Sequence, residues 1–134
     1  MKHLKIFIFL TFATHQLMAQ NKPTLLYFGD PMCSWCYGFG NEVESALKEL
    51  GDDIQLEMVM GGLRPYNTQP MTELKDFLTD HWDDVHRASG QPFQYGILET
   101  ELIYDTEPAC RAVMIARELQ PNSVMHYFHK VQTA

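Results

Sequence analysis

The chain has 134 residues, the size of one domain, and its 46% hydrophobic content is ordinary for a globular core. Seventeen acidic residues against ten basic ones give a net charge of −7, and no run of Lys or Arg follows the spacing of a phosphate backbone, which argues against nucleic acid as a partner. The acids are scattered and read as a solvated surface.

Residues 1–19 stand apart in composition. Lys2 and Lys5 precede the apolar run Ile6-Phe7-Ile8-Phe9-Leu10-Thr11-Phe12-Ala13, and Leu17-Met18-Ala19 follows. Basic, then apolar, then small is the order of a secretory signal peptide, and the run is shorter than the ~20 residues of a stable membrane span. A periplasmic or otherwise exported protein is expected. The alternative is a cytoplasmic one whose first segment is a buried strand or helix. Three cysteines are too few for a disulfide scaffold, and a single close pair suits an exported protein that handles disulfides.

Leu25-Leu26-Tyr27-Phe28, bounded by Pro23 and by Gly29-Asp30-Pro31, predicts a short strand buried on both faces. Phe39, Val43, Ala46, Leu47 and Leu50 fall at helical spacing over residues 34–50, and Gly51 is placed to end that helix. Ile54, Leu56, Met58 and Met60 alternate with Gln55, Glu57 and Val59, a second strand closed by Gly61-Gly62. Strand, helix and strand in so short a span predict a βαβ unit with parallel strands.

Beyond Gly62 the period becomes helical. Leu74, Phe77, Leu78, Trp82 and Val85 form one apolar stripe that ends at Ser89-Gly90. Residues 91–105 lack a period and read as an ordered connection tied to the core by Phe93, Tyr95, Ile97, Leu98 and Leu102. Asp105 or Thr106 caps a further helix, with Glu107 and Pro108 in its first turn, Ala112, Val113, Ala116 and Leu119 behind, and Pro121 as its stop. Ser123 caps a last helix bearing Val124, Phe128 and Val131. That helix has no stop signal, and two parallel strands alone leave edges unpaired. The chain therefore reads as a portion of a longer protein. The expected division is a signal peptide over 1–19, a βαβ half-domain over 20–65, and a helical insertion over 66–134 that is incomplete at its C-terminus.

The stretch that carries chemistry is Asp30-Pro31-Met32-Cys33-Ser34-Trp35-Cys36-Tyr37-Gly38. Cys33 falls where a strand gives way to a helix, and unpaired N–H groups with the positive end of the helix dipole favour a thiolate there. Cys36, one turn on, is close enough to pair with it. Cys33 is then the nucleophile and Cys36 the resolving thiol of a thiol–disulfide exchange that needs no cofactor. Half a zinc site and a structural disulfide are the competing readings of a CxxC; the first lacks a second ligand pair. Ser34, Trp35, Asp30 and Pro31 are candidate substrate-contact or tuning positions. Asp30 reads first as a turn former before Pro31, with help in moving a proton near Cys36 as the alternative.

The run Tyr27-Phe28-Gly29-Asp30-Pro31-Met32-Cys33-Ser34-Trp35-Cys36-Tyr37-Gly38-Phe39 resembles the active-site region of the DsbA family of thioredoxin-fold proteins, above all its FrnE-like branch. Glu107-Pro108-Ala109-Cys110-Arg111-Ala112 resembles the start of a helix in that family's inserted helical domain. The resemblance covers residues 24 to about 134. It implies an α/β thioredoxin-like fold interrupted after its second strand by helices, then resumed by strands, a helix and a cis-proline loop facing the cysteines. Pro65, Pro70, Pro92, Pro108 and Pro121 all precede or lie within the insertion, so none supplies that loop, and the C-terminal strands and helix of the fold are missing from the sequence. The implied partners are proteins with thiols or disulfides and a separate redox partner. The implied difference from relatives with His between the cysteines is a less depressed Cys33 thiol, because Ser34 and Trp35 supply no cation.

Two other functions stay open. The same cysteines could hold copper or zinc as a soft-metal binding module. The glutathione-dependent isomerase or transferase branch of the fold would carry a single Ser or Cys, which the second cysteine argues against. Cys110 reads as a small buried hydrophobe, or alternatively as a regulatory thiol. His126 and His129 share a helix face while His81 and His86 lie elsewhere, without neighbours at ligand spacing, and no metal site is expected. Met58, Met60, Met114 and Met125 read as core filling.

Overall fold

The computed structural model describes residues 22–134. The expected signal peptide over residues 1–19 lies outside the described residues.

Two strands, β1 (Thr24–Gly29) and β2 (Gln55–Met60), pair in parallel with Thr24 opposite Gln55 and Gly29 opposite Met60. Backbone bonds from Gln55 to Pro23 and from Gly61 to Gly29 extend the ladder past both ends. Between the strands lie helices α1 (Ser34–Gly38) and α2 (Gly40–Leu50). The single helix expected over 34–50 is thus two, kinked at Phe39 between Gly38 and Gly40, where poor helix formers weaken the turn. Phe39, Ala46 and Leu50 are exposed, and along α2 only Gly40 and Val43 are buried.

After β2 come α3 (Met71–Ser89), α4 (Glu107–Leu119) and α5 (Val124–Gln132). Gly90 ends α3 in the left-handed region, at φ 73°, and returns its N–H to the carbonyl of His86. Leu74, Leu78 and Val85 of the α3 stripe are buried as expected, but Phe77 is 60% exposed. The connection over 91–105 is ordered by a 3-10 turn at Tyr95–Glu99 and a bridge from Pro70 to Ile103. Leu98 and Tyr104 are buried and Phe93 stacks on Trp82, with Tyr95 edge-on to the same ring at the surface, whereas Ile97 and Leu102 are exposed. Neither Thr106 nor Ser123 caps a helix through its side chain. Asp105 does that service for α4, its Oδ1 accepting the N–H groups of Glu107 and Tyr66, while Thr106 Oγ1 turns to the N–H of Arg64. Leu119 is exposed.

The core forms two clusters. Met71, Leu74, Leu78, Leu98 and Tyr104 hold α3 to the connection after it, with Met32 and Trp82 against them. Met58, Val113, Val124 and Phe128 hold β2 to α4 and α5, with Tyr27 and Cys36 against them. The turn after β1 therefore has Met32 in one cluster and Cys36 in the other, so packing on both sides fixes it. β1 is not buried on both faces as expected: Leu26 is half exposed and Phe28 66% exposed, because the helices cover one face of the two-stranded sheet among the described residues.

α1 meets α3 at Gly38, where an added Cβ would lie 2.5 Å from Cγ1 of Val85. Val85 is β-branched and fully buried, so it has little room to yield. Gly38→Ala is expected to cost about 1–3 kcal/mol, the range for overpacking a core, read as a lower denaturant midpoint at an unchanged slope.

Candidate functional site

Cys33 is the residue just before α1, with φ −82° and ψ 119°, so it stands outside the helix while the helix amides point toward it. Its N–H reaches the Asp30 carbonyl at 3.1 Å, and its own carbonyl accepts the N–H of Tyr37 at 3.0 Å. The two cysteine sulfurs are 3.5 Å apart and unbonded, within hydrogen-bond range for sulfur.

The two thiols are pushed in opposite directions. Cys33 is lowered to about 6, first by the hydrogen bond from the Cys36 thiol and then, against burial, by backbone N–H groups of Cys36 and Trp35. Cys36 is raised, first because its proton is held in that bond to Cys33, then by burial and by the charges of Cys33 and Asp30. Local donors at the start of α1 therefore carry the effect. One sulfur is poised as an anion and its neighbour holds a proton, which is the division of labour that thiol–disulfide exchange needs.

Asp30 is only 4% exposed. Its Oδ1 accepts the N–H of Met32 at 2.8 Å, the turn-forming bond read from the sequence. Its Oδ2 accepts the N–H of Leu63 at 2.7 Å and the Cys110 thiol at 3.3 Å. Pro31 is buried beside it. Of the residues between the cysteines, Ser34 is buried and Trp35 is 46% exposed, lying edge-on to His81, which stacks in turn on Phe77. His86 bonds the Gln91 carbonyl, and on α5 His129 is half-buried against Gly40 while His126 is exposed. Among the described residues no group of three or more His, Cys, Asp or Glu is placed to hold a metal.

Two tyrosines complete the site that the sequence did not single out. Burial first, then the charges of Cys36 and Cys33, push Tyr27 up to about 12. Tyr104 is also pushed up to about 12, by burial and then by the charges of Asp30 and Cys33, and its hydroxyl donates to the Met32 carbonyl at 2.7 Å. Tyr27 lies within the motif but passes for a strand residue, and Tyr104 is 72 positions from its partner, so neither leaves a local signal. A cavity of about 440 Å³ opens beside Cys33, lined by Met32, Tyr37, Trp82, Phe93 and Tyr104 among others; its size falls within the range of small-molecule sites.

A parallel strand pair with its cysteines at the intervening turn, followed by helices, defines the class as the N-terminal portion of a DsbA-like thioredoxin fold. Among solved structures, the chain is similar to a candidate protein disulfide isomerase from Nitrosomonas europaea, with 38% identity and a TM-score of 0.76 over 85% of this chain and 55% of that one. It is similar also to the cytosolic disulfide reductase DsbM from Pseudomonas aeruginosa, with 28% identity and a TM-score of 0.70 over 83% of this chain and 53% of that one, and to DsbM with GSH at a TM-score of 0.69. The chain thus spans just over half the length of these proteins. No protein-family model and no curated protein matches it.

Thiolate, not thiol, reacts with alkylating agents. With Cys33 lowered to about 6, its alkylation by iodoacetamide in the reduced protein is expected to rise with pH to half its maximum near 6, whereas an ordinary thiol is still only a few per cent anionic at pH 7. Cys36→Ala removes the hydrogen bond that does most to stabilise that anion and is expected to move the midpoint up by about one unit or more, assigned by peptide mapping. A midpoint below about 4, the low extreme for such motifs, would contradict the expectation drawn from Ser34 and Trp35.

Proposed function

We propose that the protein is a thiol–disulfide oxidoreductase that exchanges disulfides with protein substrates through Cys33 and Cys36. The observation that carries this reading is the pair itself: two sulfurs 3.5 Å apart, the one before the helix lowered to about 6 and the one within it raised. In the reducing direction the Cys33 thiolate attacks one sulfur of a substrate disulfide, forms a mixed disulfide and expels the other substrate sulfur as a thiolate, which takes up a proton. Cys36 then gives up its proton, attacks Cys33 and expels the second substrate thiol. Two electrons have passed to the substrate and a Cys33–Cys36 disulfide remains. The same steps reversed oxidise a substrate dithiol.

Asp30 is buried beside both sulfurs and its charge raises both, which supports a second duty as the group that receives the Cys36 proton in the resolving step. Trp35, exposed between the cysteines, supports a contact with the substrate, and Pro31 and Ser34, both buried, are left as tuning positions. Residues 20–65 serve as the N-terminal βαβ half of the thioredoxin-like domain and 66–134 as the helical insertion, in keeping with strands that end at Met60 and helices that follow. The solved complex of DsbM with GSH, together with the cavity beside Cys33, favours glutathione as the small thiol that reduces the pair. A soft-metal module is one alternative for the same cysteines, and loss of copper or zinc from the purified protein on Cys33→Ser would support it; the glutathione-dependent isomerase or transferase branch is the other.

In an insulin-reduction assay Cys33→Ser is expected to fall to background. Cys36→Ala is expected to accumulate a mixed disulfide with substrate, visible on a non-reducing gel, because the resolving step is gone. Activity surviving Cys33→Ser would overturn the reading.

The order of residues 1–19 supports export, and no helix among the described residues is long and apolar enough to cross a membrane. The cytosolic location of DsbM supports the cytoplasm instead. Cell fractionation with N-terminal sequencing decides: a chain beginning near residue 20 in the exported fraction is expected, and one retaining residues 1–19 in the cytoplasm would reverse the assignment.

A further inference from the structure

A buried carboxylate keeps its charge only while its oxygens are supplied with donors. Two of the donors to Asp30 are backbone N–H groups of neighbouring loops, Met32 and Leu63. The third is a side chain, the Cys110 thiol, which reaches Oδ2 at 3.3 Å from 80 positions away. Cys110 is buried on α4, and burial followed by the charge of Asp30 pushes its thiol up to about 11. The proton therefore stays on this sulfur through the whole range in which Cys33 titrates. A thiol held protonated is neither a nucleophile nor a metal ligand; it is a permanent donor.

Resting on the reading of Cys33 and Cys36 as an exchange pair, we propose that Cys110 is a positioning residue for that pair: its S–H group, beside the Leu63 N–H on the same oxygen, draws off part of the Asp30 charge and so helps to set the potential felt by the two active-site sulfurs. The charge of Asp30 opposes the anion on Cys33, and any donor to its oxygens softens that opposition. The other titratable or charged groups near the carboxylate are Tyr104, whose hydroxyl is spent on the Met32 carbonyl, and Arg64, whose guanidinium lies over the Tyr104 ring at 5.7 Å. Neither substitutes for a donor placed on Oδ2. Through this bond α4 becomes part of the redox site without any contact to substrate.

The test is a titration of thiolate absorbance in the reduced protein. Cys110→Ala is expected to raise the Cys33 midpoint by about half a unit, a fraction of the one to three units a full neighbouring charge produces, and Cys110→Ser, which restores a donor, to bring it most of the way back. Asp30→Asn is expected to lower the midpoint, and in that background Cys110→Ala to do nothing further, since the carboxylate through which it acts is gone. Cys110→Val, which fills the space without a donor, reports the same shift where the alanine variant is too unstable to titrate. A Cys33 midpoint indifferent to Cys110, or a shift equally large with and without Asp30, overturns the proposal. These midpoints are measurable whether or not insulin is reduced, so failure of the exchange reading and failure of the positioning role show up separately.

Discussion

A carboxylate taken out of water must be answered by donors, and Asp30 finds its three in different parts of the chain: the turn that holds the cysteines, the loop after β2, and α4. Each bond draws one of those segments to the same point. The turn after β1 is further fixed because Met32 packs into the cluster under α3 while Cys36 packs into the cluster under α4 and α5. The place where two cores meet is where a short, polar, reactive turn is best immobilised, since neither side yields without disturbing the other.

That immobility is what divides the two sulfurs. A hydrogen bond between thiols stabilises an anion on one only if the second is held in position to donate, and the backbone amides of Trp35 and Cys36 help only while Cys33 stays just outside the helix. Burial works against the anion and the charge of Asp30 works with burial. The low value at Cys33 is therefore a net result of local donors exceeding two opposing effects, and it depends on angstrom-scale placement more than on any long-range dipole.

Much of this was legible in the residues. Alternation over Ile54–Met60, the apolar run before Gly29 and the spacing of Leu74, Leu78 and Val85 are periodic signals, and each marked its element; Gly51 and Gly90 marked two ends. The CxxC was visible because both partners lie within four residues. What escaped was non-local or depended on competition between weak effects. The kink at Phe39 pits a good apolar spacing against two flanking glycines, and Phe77 has the right period but too little facing it to bury it. Of the two caps the sequence allowed for α4, Asp105 serves, because Thr106 is engaged by Arg64 from a distant loop, which no local signal could decide. Cys110 and Tyr104 reach the site from across the sequence; no spacing rule announces them.

Leu26 and Phe28 on β1 stand on a sheet face that the described helices leave open. Among the described residues one side of β1 pairs with β2 and the other carries unmatched N–H and C=O groups beside apolar side chains. Such a ribbon is a template for another extended segment.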